Sequence, residues 1–268
     1  MRAAVLGSPI AHSLSPVLHN AAYAASGLSD WRYERFELQA DELAEFVAGL
    51  DDDWRGLSLT MPLKEACLEV AAETTALARR ARAGNTLVRQ PDGGWLADNT
   101  DVPGIVDTLR PAWQSDWHRV AVLGAGATAR SALLALPALG VLAVDVYARD
   151  PAKAEALEGW APAGIEVSVR PFDEWTGGEQ PVLLSTLPGG AADTLELVGP
   201  RGGLLFDVVY AGWPTPLARQ AETAGMTVVG GLDLLVHQAA RQFTLFTGEE
   251  APLEAMFEAG RAALEVAP

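Results

Sequence analysis

Residues 120–136 constrain this chain more than any other stretch. The apolar run Val120-Ala121-Val122-Leu123 enters Gly124-Ala125-Gly126-Ala127-Thr128-Ala129-Arg130, and a helix-forming run, Ser131 to Leu136, follows. That order is strand, glycine turn, helix. The first glycine lets the backbone fold sharply, the second lets it approach an anion closely, and the helix behind aims free N–H groups at a pyrophosphate. Glycines at this spacing also occur in ordinary tight turns, so the surroundings must decide. The next strand, Val141 to Tyr147, follows at the distance of a βαβ unit and ends in Arg149-Asp150. An Asp at that point accepts from a free ribose 2'-hydroxyl, whereas an Arg pairs with a 2'-phosphate. Both are present, Arg first.

From about residue 104 the pattern alternates: Val120–Leu123, the helix after Gly126, Val141–Tyr147, a helix Pro151–Leu157, then strands Ile165–Val169, Val182–Ser185, Gly203–Val209 and Val228–Gly231. Strict alternation predicts a parallel sheet with helices on both faces, a Rossmann-type doubly wound α/β domain. Pro137 should end or kink the first helix. A long helix, Leu232 to Phe246, should bury Leu232, Leu235, Val236, Ala239 and Phe243, with Gln238 partly off that stripe. A second helix, Leu253 to Val266, follows.

The 268 residues suffice for two compact domains, with 49% hydrophobic and 20% charged residues. A net charge of -16 speaks against a general nucleic-acid or anionic-membrane binder, since such partners need a basic surface. One cysteine and four histidines leave neither a disulfide framework nor metal-ligand spacing. Cys67 reads as a small core residue. The N-terminal apolar run is too short for a signal peptide, and no stretch has about 18 uninterrupted apolar residues, so a cytoplasmic protein is expected.

The first hundred residues also read as α/β. Strand Ala3–Leu6 runs into Ser8-Pro9-Ile10-Ala11-His12-Ser13-Leu14-Ser15-Pro16, which opens a helix to Ala25 with Ser15 as candidate N-cap. Ser13 and Ser15 beside that N-terminus can equally cradle a carboxylate; His12 and His19 read as structural. Strand Tyr33–Leu38, helix Ala40–Leu50 and strand Trp54–Thr60 follow, the last broken by Met61-Pro62-Leu63-Lys64. Lys64 in a helix's first turn opposes the macrodipole and asks for a reason. Gly84-Asn85-Thr86 and Asp98-Asn99-Thr100-Asp101 flank a hairpin, Leu87–Arg89 and Trp95–Ala97, which brings both clusters to one end. Thr60, Lys64, Asn85 and Asp101 therefore share one predicted pocket, and Pro103-Gly104 should begin the helix that crosses into the glycine-turn domain.

Taken together, Gly7 to Pro16, Thr60 to Lys64, Ala83-Gly84-Asn85-Thr86-Leu87, Asn99-Thr100-Asp101, Gly124-Ala125-Gly126, Asp207-Val208-Val209-Tyr210 with Thr215-Pro216-Leu217, and Gly231 through Gln238-Ala239-Ala240 make a chain that resembles the shikimate dehydrogenase family over essentially its whole length. The resemblance implies NADPH-dependent reduction of 3-dehydroshikimate to shikimate, in aromatic amino-acid biosynthesis. It assigns Lys64 and Asp101 to catalysis, and Ser13, Ser15, Thr60, Asn85, Tyr210 and Gln238 to substrate. It assigns Gly124, Ala125, Gly126, Ala127, Thr128, Arg149, Val208 and Gly231 to the cofactor. It also implies a substrate-binding domain of residues 1–103, completed by 232–268, and an NADP-binding domain of 104–231. Small-molecule substrate, no nucleic acid, no membrane, and a monomer or homodimer complete the expectation.

The residue types suit that chemistry. Hydride addition to a ketone develops negative charge on oxygen, which needs a nearby cation or proton donor. Lys64 can supply both. Some positions depart from the family pattern. Ala148-Arg149-Asp150 stands where Asn-Arg-Thr is usual; Arg149 and Lys153 can meet a 2'-phosphate, while Asp150 keeps NAD open. Ala127 replaces a frequent third Gly, and Ser185-Thr186-Leu187-Pro188 replaces Asn-Ala-Thr. Rival readings are an NAD-preferring quinate/shikimate dehydrogenase, a non-catalytic dinucleotide sensor, and a methylenetetrahydrofolate dehydrogenase, whose substrate does not call for the Ser13 and Ser15 cradle.

Overall fold

The structure is a computed structural model that describes residues 1–150, 156–157 and 161–266. The helix expected over Pro151–Leu157 lies mostly outside the described residues, as does Lys153. Two compact units emerge, one of Met1–Gly104 with Leu235–Pro268 and one of Ile105–Leu234. Both are α/β, each built on a six-stranded sheet.

In the first unit, β1 (Arg2–Gly7), β2 (Arg32–Glu37), β3 (Trp54–Leu59), β4 (Glu73–Thr74), β5 (Thr86–Arg89) and β6 (Trp95–Asp98) lie in the order β2-β1-β3-β5-β6-β4. β1 is parallel to β2 and β3, whereas β5 is antiparallel to both β3 and β6. The consequence for the site is geometric. β1 and β3 end, β5 begins and β6 ends at one edge, so the loops after Gly7 and Leu59, before Thr86 and after Asp98 converge. The core beneath them is apolar, with Leu6, Leu43, Leu57, Leu63, Leu87 and Cys67 all fully buried.

Helices α1 (Ser15–Ala25), α2 (Leu43–Ala48), α3 (Leu63–Val70) and α5 (Asp101–Leu109) follow the predicted pattern with shifted ends, whereas α4 (Ala76–Ala81), like the two-residue strand β4 before it, has no counterpart in the sequence reading. Two boundaries correct the sequence reading. The N-cap of α1 is Leu14, with no side-chain cap, so Ser15 is already helical; Ser13 supplies the hydroxyl, accepting from the Ser15 N–H at 3.3 Å. Likewise α5 starts at Asp101 rather than at Pro103-Gly104, because the Asn99 side-chain oxygen accepts from the Val102 N–H at 3.1 Å. Short polar residues ahead of a helix thus capture the free amides before the proline does.

In the second unit β7 (Arg119–Leu123), β8 (Ala143–Ala148), β9 (Glu166–Pro171), β10 (Val182–Ser185), β11 (Leu204–Asp207) and β12 (Thr227–Val229) are all parallel, in the order β12-β11-β10-β7-β8-β9. Counted from β7 this is the 3-2-1-4-5-6 order of a doubly wound sheet, with its switch point between β7 and β10. Helix α6 (Ala127–Ala135) gives way at Pro137 to a 3₁₀ turn, Leu136–Leu139, as a missing amide proton requires. Helix α7 (Pro216–Ala224) precedes β12.

Helices α8 (Gly231–Thr247) and α9 (Leu253–Val266) complete the described chain. On α8 the residues 238, 242 and 246 recur every fourth position and so share one face. That face meets the first sheet closely. A Cβ on Gly56 would fall 2.0 Å from Phe246, and one on Gly104 3.1 Å from the Gln238 Cβ. The buried stripe therefore differs from the expected one. Leu232 and Leu235 are only partly covered, while Gln238 and Gln242 are buried.

Candidate active site

The converging edge of the first sheet gathers the polar residues that the sequence singled out. Lys64 stands in the first turn of α3, directly after the strand-breaking Pro62, and Asp101 opens α5. Their side chains pair, Nζ to Oδ2 at 2.6 Å, with only 17% and 7% of the side chains exposed. The partnership explains a cation placed against the helix dipole, since a carboxylate in a partly desolvated site holds it there.

Asn85 binds the other carboxylate oxygen. Its Nδ2 lies 2.8 Å from Asp101 Oδ1, 2.9 Å from Thr100 Oγ1 and 3.2 Å from Gln238 Oε1, three acceptors that share its two protons. Its Oδ1 accepts from the Thr100 backbone N–H at 2.8 Å. A backbone donor cannot reverse, so the amide has one orientation. Gln238 in turn donates to the Leu235 carbonyl at 2.9 Å. Lys64, Asn85, Asp101 and Gln238 thus form one constellation.

Thr60 is at the same edge, its amide donating to the Leu6 carbonyl at 3.0 Å. Gly7 is what admits it, because a Cβ there would come within 2.3 Å of the Thr60 methyl. Ser13 and Ser15 lie in the loop after β1, Ser13 half-buried and Ser15 buried. Met61 beside Lys64 is exposed. Cys67, beneath the site, bonds to the Lys64 and Gly84 carbonyls, and burial pushes its thiol up to about 12, so it stays a thiol. His19 is wholly buried and stacked on Tyr33 at 4.0 Å, and burial lowers its pKa to about 3.

In the second unit the parallel sheet brings Gly124, Arg149, Val208 and Gly231 to the strands' C-terminal edge. Gly124 has φ +106°, and a Cβ on it would lie 2.6 Å from Thr186 Oγ1, which bonds the Leu123 carbonyl at 2.8 Å. Only glycine serves there. Gly126 is the N-cap of α6, is exposed, has no side-chain cap, and its Cβ would meet nothing within 4 Å. The first-turn amides of α6, with Ala125, Ala127 and Thr128 half-exposed around them, fit the pyrophosphate of a dinucleotide.

Arg149 and Asp150 are both exposed at the end of β8. Gly231 allows contact with the 208–209 backbone, where a Cβ would fall 2.0 Å from the Val208 carbonyl oxygen. That loop is anchored by Asp207, which sequence reading noted only as part of a motif. Its carboxylate accepts from Thr215 Oγ1 at 2.8 Å and from the Val209 N–H at 3.2 Å, and burial raises its pKa. Tyr210 belongs to the same loop of the second unit, half-buried, and burial raises its phenol above the ordinary value.

A second buried acid, Asp145, holds Arg119 by two bonds at 2.7 and 2.8 Å and Gln180 by one at 2.8 Å. Its carboxyl lies below the ordinary range because these bonds outweigh its desolvation. Among the described residues no group of three or more His, Cys, Asp or Glu could hold a metal ion, and no helix is long and apolar enough to cross a membrane.

A doubly wound sheet with a glycine turn at its switch point defines the dinucleotide-binding class. Comparison with known proteins narrows it. Residues 5–87 match the shikimate dehydrogenase substrate binding domain and residues 231–259 the shikimate 5'-dehydrogenase C-terminal domain. A curated relative from Synechococcus sp. (strain JA-3-3Ab), named shikimate dehydrogenase (NADP(+)), is 36% identical over 96% of this chain and 92% of its own. The crystal structure of Mycobacterium tuberculosis shikimate dehydrogenase superposes with a TM-score of 0.88 at 44% identity, covering 97% of this chain and 99% of that one. The Thermus thermophilus shikimate 5-dehydrogenase in complex with NADP(H) and shikimate gives 0.87 at 33% identity, covering 98% and 100%. The chain belongs to the shikimate dehydrogenase family.

Proposed function

We propose that this protein is an NADP-dependent oxidoreductase that interconverts 3-dehydroshikimate and shikimate in aromatic amino-acid biosynthesis. The observation that carries the reading is the Lys64–Asp101 pair at 2.6 Å beside the Asn85 and Gln238 amides. This is a cation and a set of hydrogen-bonding groups suited to a polyhydroxylated ring ketone.

NADPH, when bound, supplies the hydride. What the chain supplies is the proton and the orientation. As the ketone becomes an alkoxide, the Lys64 ammonium donates a proton to that oxygen, leaving a neutral amine that regains its proton from solvent. One Lys64 N–H is committed to Asp101, which fixes the ammonium's position; the others can face the reacting oxygen. Asp101, Asn85, Thr60 and Gln238 are assigned to ring hydroxyls, and Ser13 and Ser15 with Tyr210 to the carboxylate. Gly124, Ala125, Gly126, Ala127, Thr128, Val208 and Gly231 are assigned to the dinucleotide, with Arg149 on its 2'-phosphate. On this reading the first unit binds substrate and the second binds cofactor, in a cytoplasmic monomer or homodimer.

One observation favours a second reading. Asp150 is exposed next to Arg149 and could bond a free 2'-hydroxyl, which would suit an NAD-preferring quinate/shikimate dehydrogenase. Initial rates of shikimate and quinate oxidation with each cofactor separate the two. Fast shikimate oxidation with NADP is expected. Preference for NAD with quinate would replace the first reading by the second, and no rate with any combination would leave a non-catalytic dinucleotide sensor.

A further inference from the structure

Beneath Asn85 runs a line of buried polar side chains that the reaction as described does not use. Tyr33 on β2 donates its hydroxyl to Ser58 on β3. Ser58 donates to Gln242 Oε1 on α8 at 2.7 Å. Gln242 Nε2 donates to Thr86 Oγ1 at 3.0 Å and to the Asn85 carbonyl at 3.0 Å. Thr86 donates to Asn85 Oδ1 at 2.9 Å, and Asn85 donates to Asp101. Tyr33, Ser58, Thr86, Asn85 and Gln242 are each less than 5% exposed.

The direction of every link is determined by chemistry. The Asn85 carbonyl is acceptor only, so the Gln242 amide must turn its Nε2 that way and present Oε1 to Ser58. Ser58 must then donate to Gln242, which leaves it able only to accept from Tyr33. A hydroxyl has one proton, and Thr86, already accepting from Gln242, spends its proton on Asn85 Oδ1. The last link supports the Thr100 N–H in holding Asn85 Oδ1 inward and Nδ2 toward Asp101 and Gln238. Were Gln242 reversed, Thr86 could donate to it instead, and Asn85 would lose a partner.

We propose that Thr86, Ser58 and Gln242 are positioning residues for the reaction. They act through Asn85, as a one-directional chain of donors anchored at Tyr33 that reinforces the orientation the Thr100 N–H gives the Asn85 amide and holds its Nδ2 in place against Asp101 and substrate. None touches substrate itself, and the inference rests on the proposed shikimate dehydrogenase activity. Aligned hydrogen bonds in a dry interior polarise one another, and a break leaves a donor or acceptor that water cannot reach.

The test is steady-state kinetics of shikimate oxidation with NADP for wild type, Thr86→Val and Gln242→Met, each first shown to be folded by circular dichroism. Both variants keep side-chain volume and remove donors. The expected result is a fall in kcat/KM for shikimate of about tenfold or more, with KM for NADP within about twofold of wild type. Ser58→Ala, which leaves Gln242 Oε1 without its donor, should show the same split to a smaller degree, and provides the readout should Gln242→Met fail to fold. Folded variants that keep kcat/KM for shikimate within about twofold, or that shift both substrates' parameters alike, would overturn the proposal. Absence of activity in wild type would instead count against the functional reading on which it rests.

Discussion

His19 gives the sharpest test of how this fold responds to acid. Its imidazole is fully buried, neither ring nitrogen meets a partner in good hydrogen-bond geometry, and burial lowers its pKa from 6.5 to about 3, opposed only weakly by a polar contact with the Gln242 side chain. A depressed cationic group means that the folded state refuses a proton which the unfolded chain accepts. Its stabilising effect is therefore complete above the unfolded value of 6.5 and is lost as pH falls toward about 3. Between about pH 7.5 and pH 5 the unfolded imidazole gains its proton while the folded one does not, which costs about 1.36 kcal/mol for each unit below 6.5, or about 2 kcal/mol in all. Asp207 has the opposite sign, because a raised carboxyl pKa favours the folded state as pH falls. Asp145, lowered from 3.8, contributes only below this window.

His19→Phe isolates the effect. A phenyl ring keeps the stack on Tyr33, at 4.0 Å between centroids in the native protein, and cannot titrate. Urea unfolding of both proteins at the two pH values should show wild type losing about 2 kcal/mol more than His19→Phe on acidification. Equal losses in the two proteins would refute the reasoning, since every other titrating group is common to both.

Replacing Lys64 by Ala should lower kcat by roughly 10²–10⁴-fold while fluorescence titration still shows NADPH binding; near-normal turnover would remove Lys64 from the chemistry. Arg149→Ala should raise KM for NADP about tenfold or more and leave KM for NAD nearly unchanged, whereas equal effects on both cofactors would separate Arg149 from the 2'-phosphate. Gly124→Ala forces a side chain into φ +106° and to 2.6 Å from Thr186 Oγ1. It should destabilise by about 1–3 kcal/mol and weaken cofactor binding, as thermal melts with and without NADP would show.

Much of this architecture was legible in the chain. The glycine turn, the alternation from residue 119 onward and the hairpin flanked by Asn85 and Asp101 announce themselves through local rules of backbone freedom, periodicity and turn chemistry. Local rules misjudged helix starts where an unexpected side chain, at Ser13 or Asn99, met the first amides. They also misjudged α8. A stripe drawn by hydrophobicity passes over Gln242, because a glutamine inside a helix reads as solvent-facing until a strand with unpaired polar groups is seen to lie against it.

The sequence by itself determined the strands other than the two-residue β4, the glycine turn and the inventory of groups able to bind a dinucleotide or donate a proton, since each depends on neighbours a few residues away. Tertiary structure alone decided which of those groups meet. Lys64 reaches Asp101 across 37 positions of chain, and Gln242 reaches Asn85 across 157. The antiparallel reversal at β5 and the close approach of α8 at Gly56 and Gly104 bring these partners together, and no local pattern encodes a distance between residues so far apart.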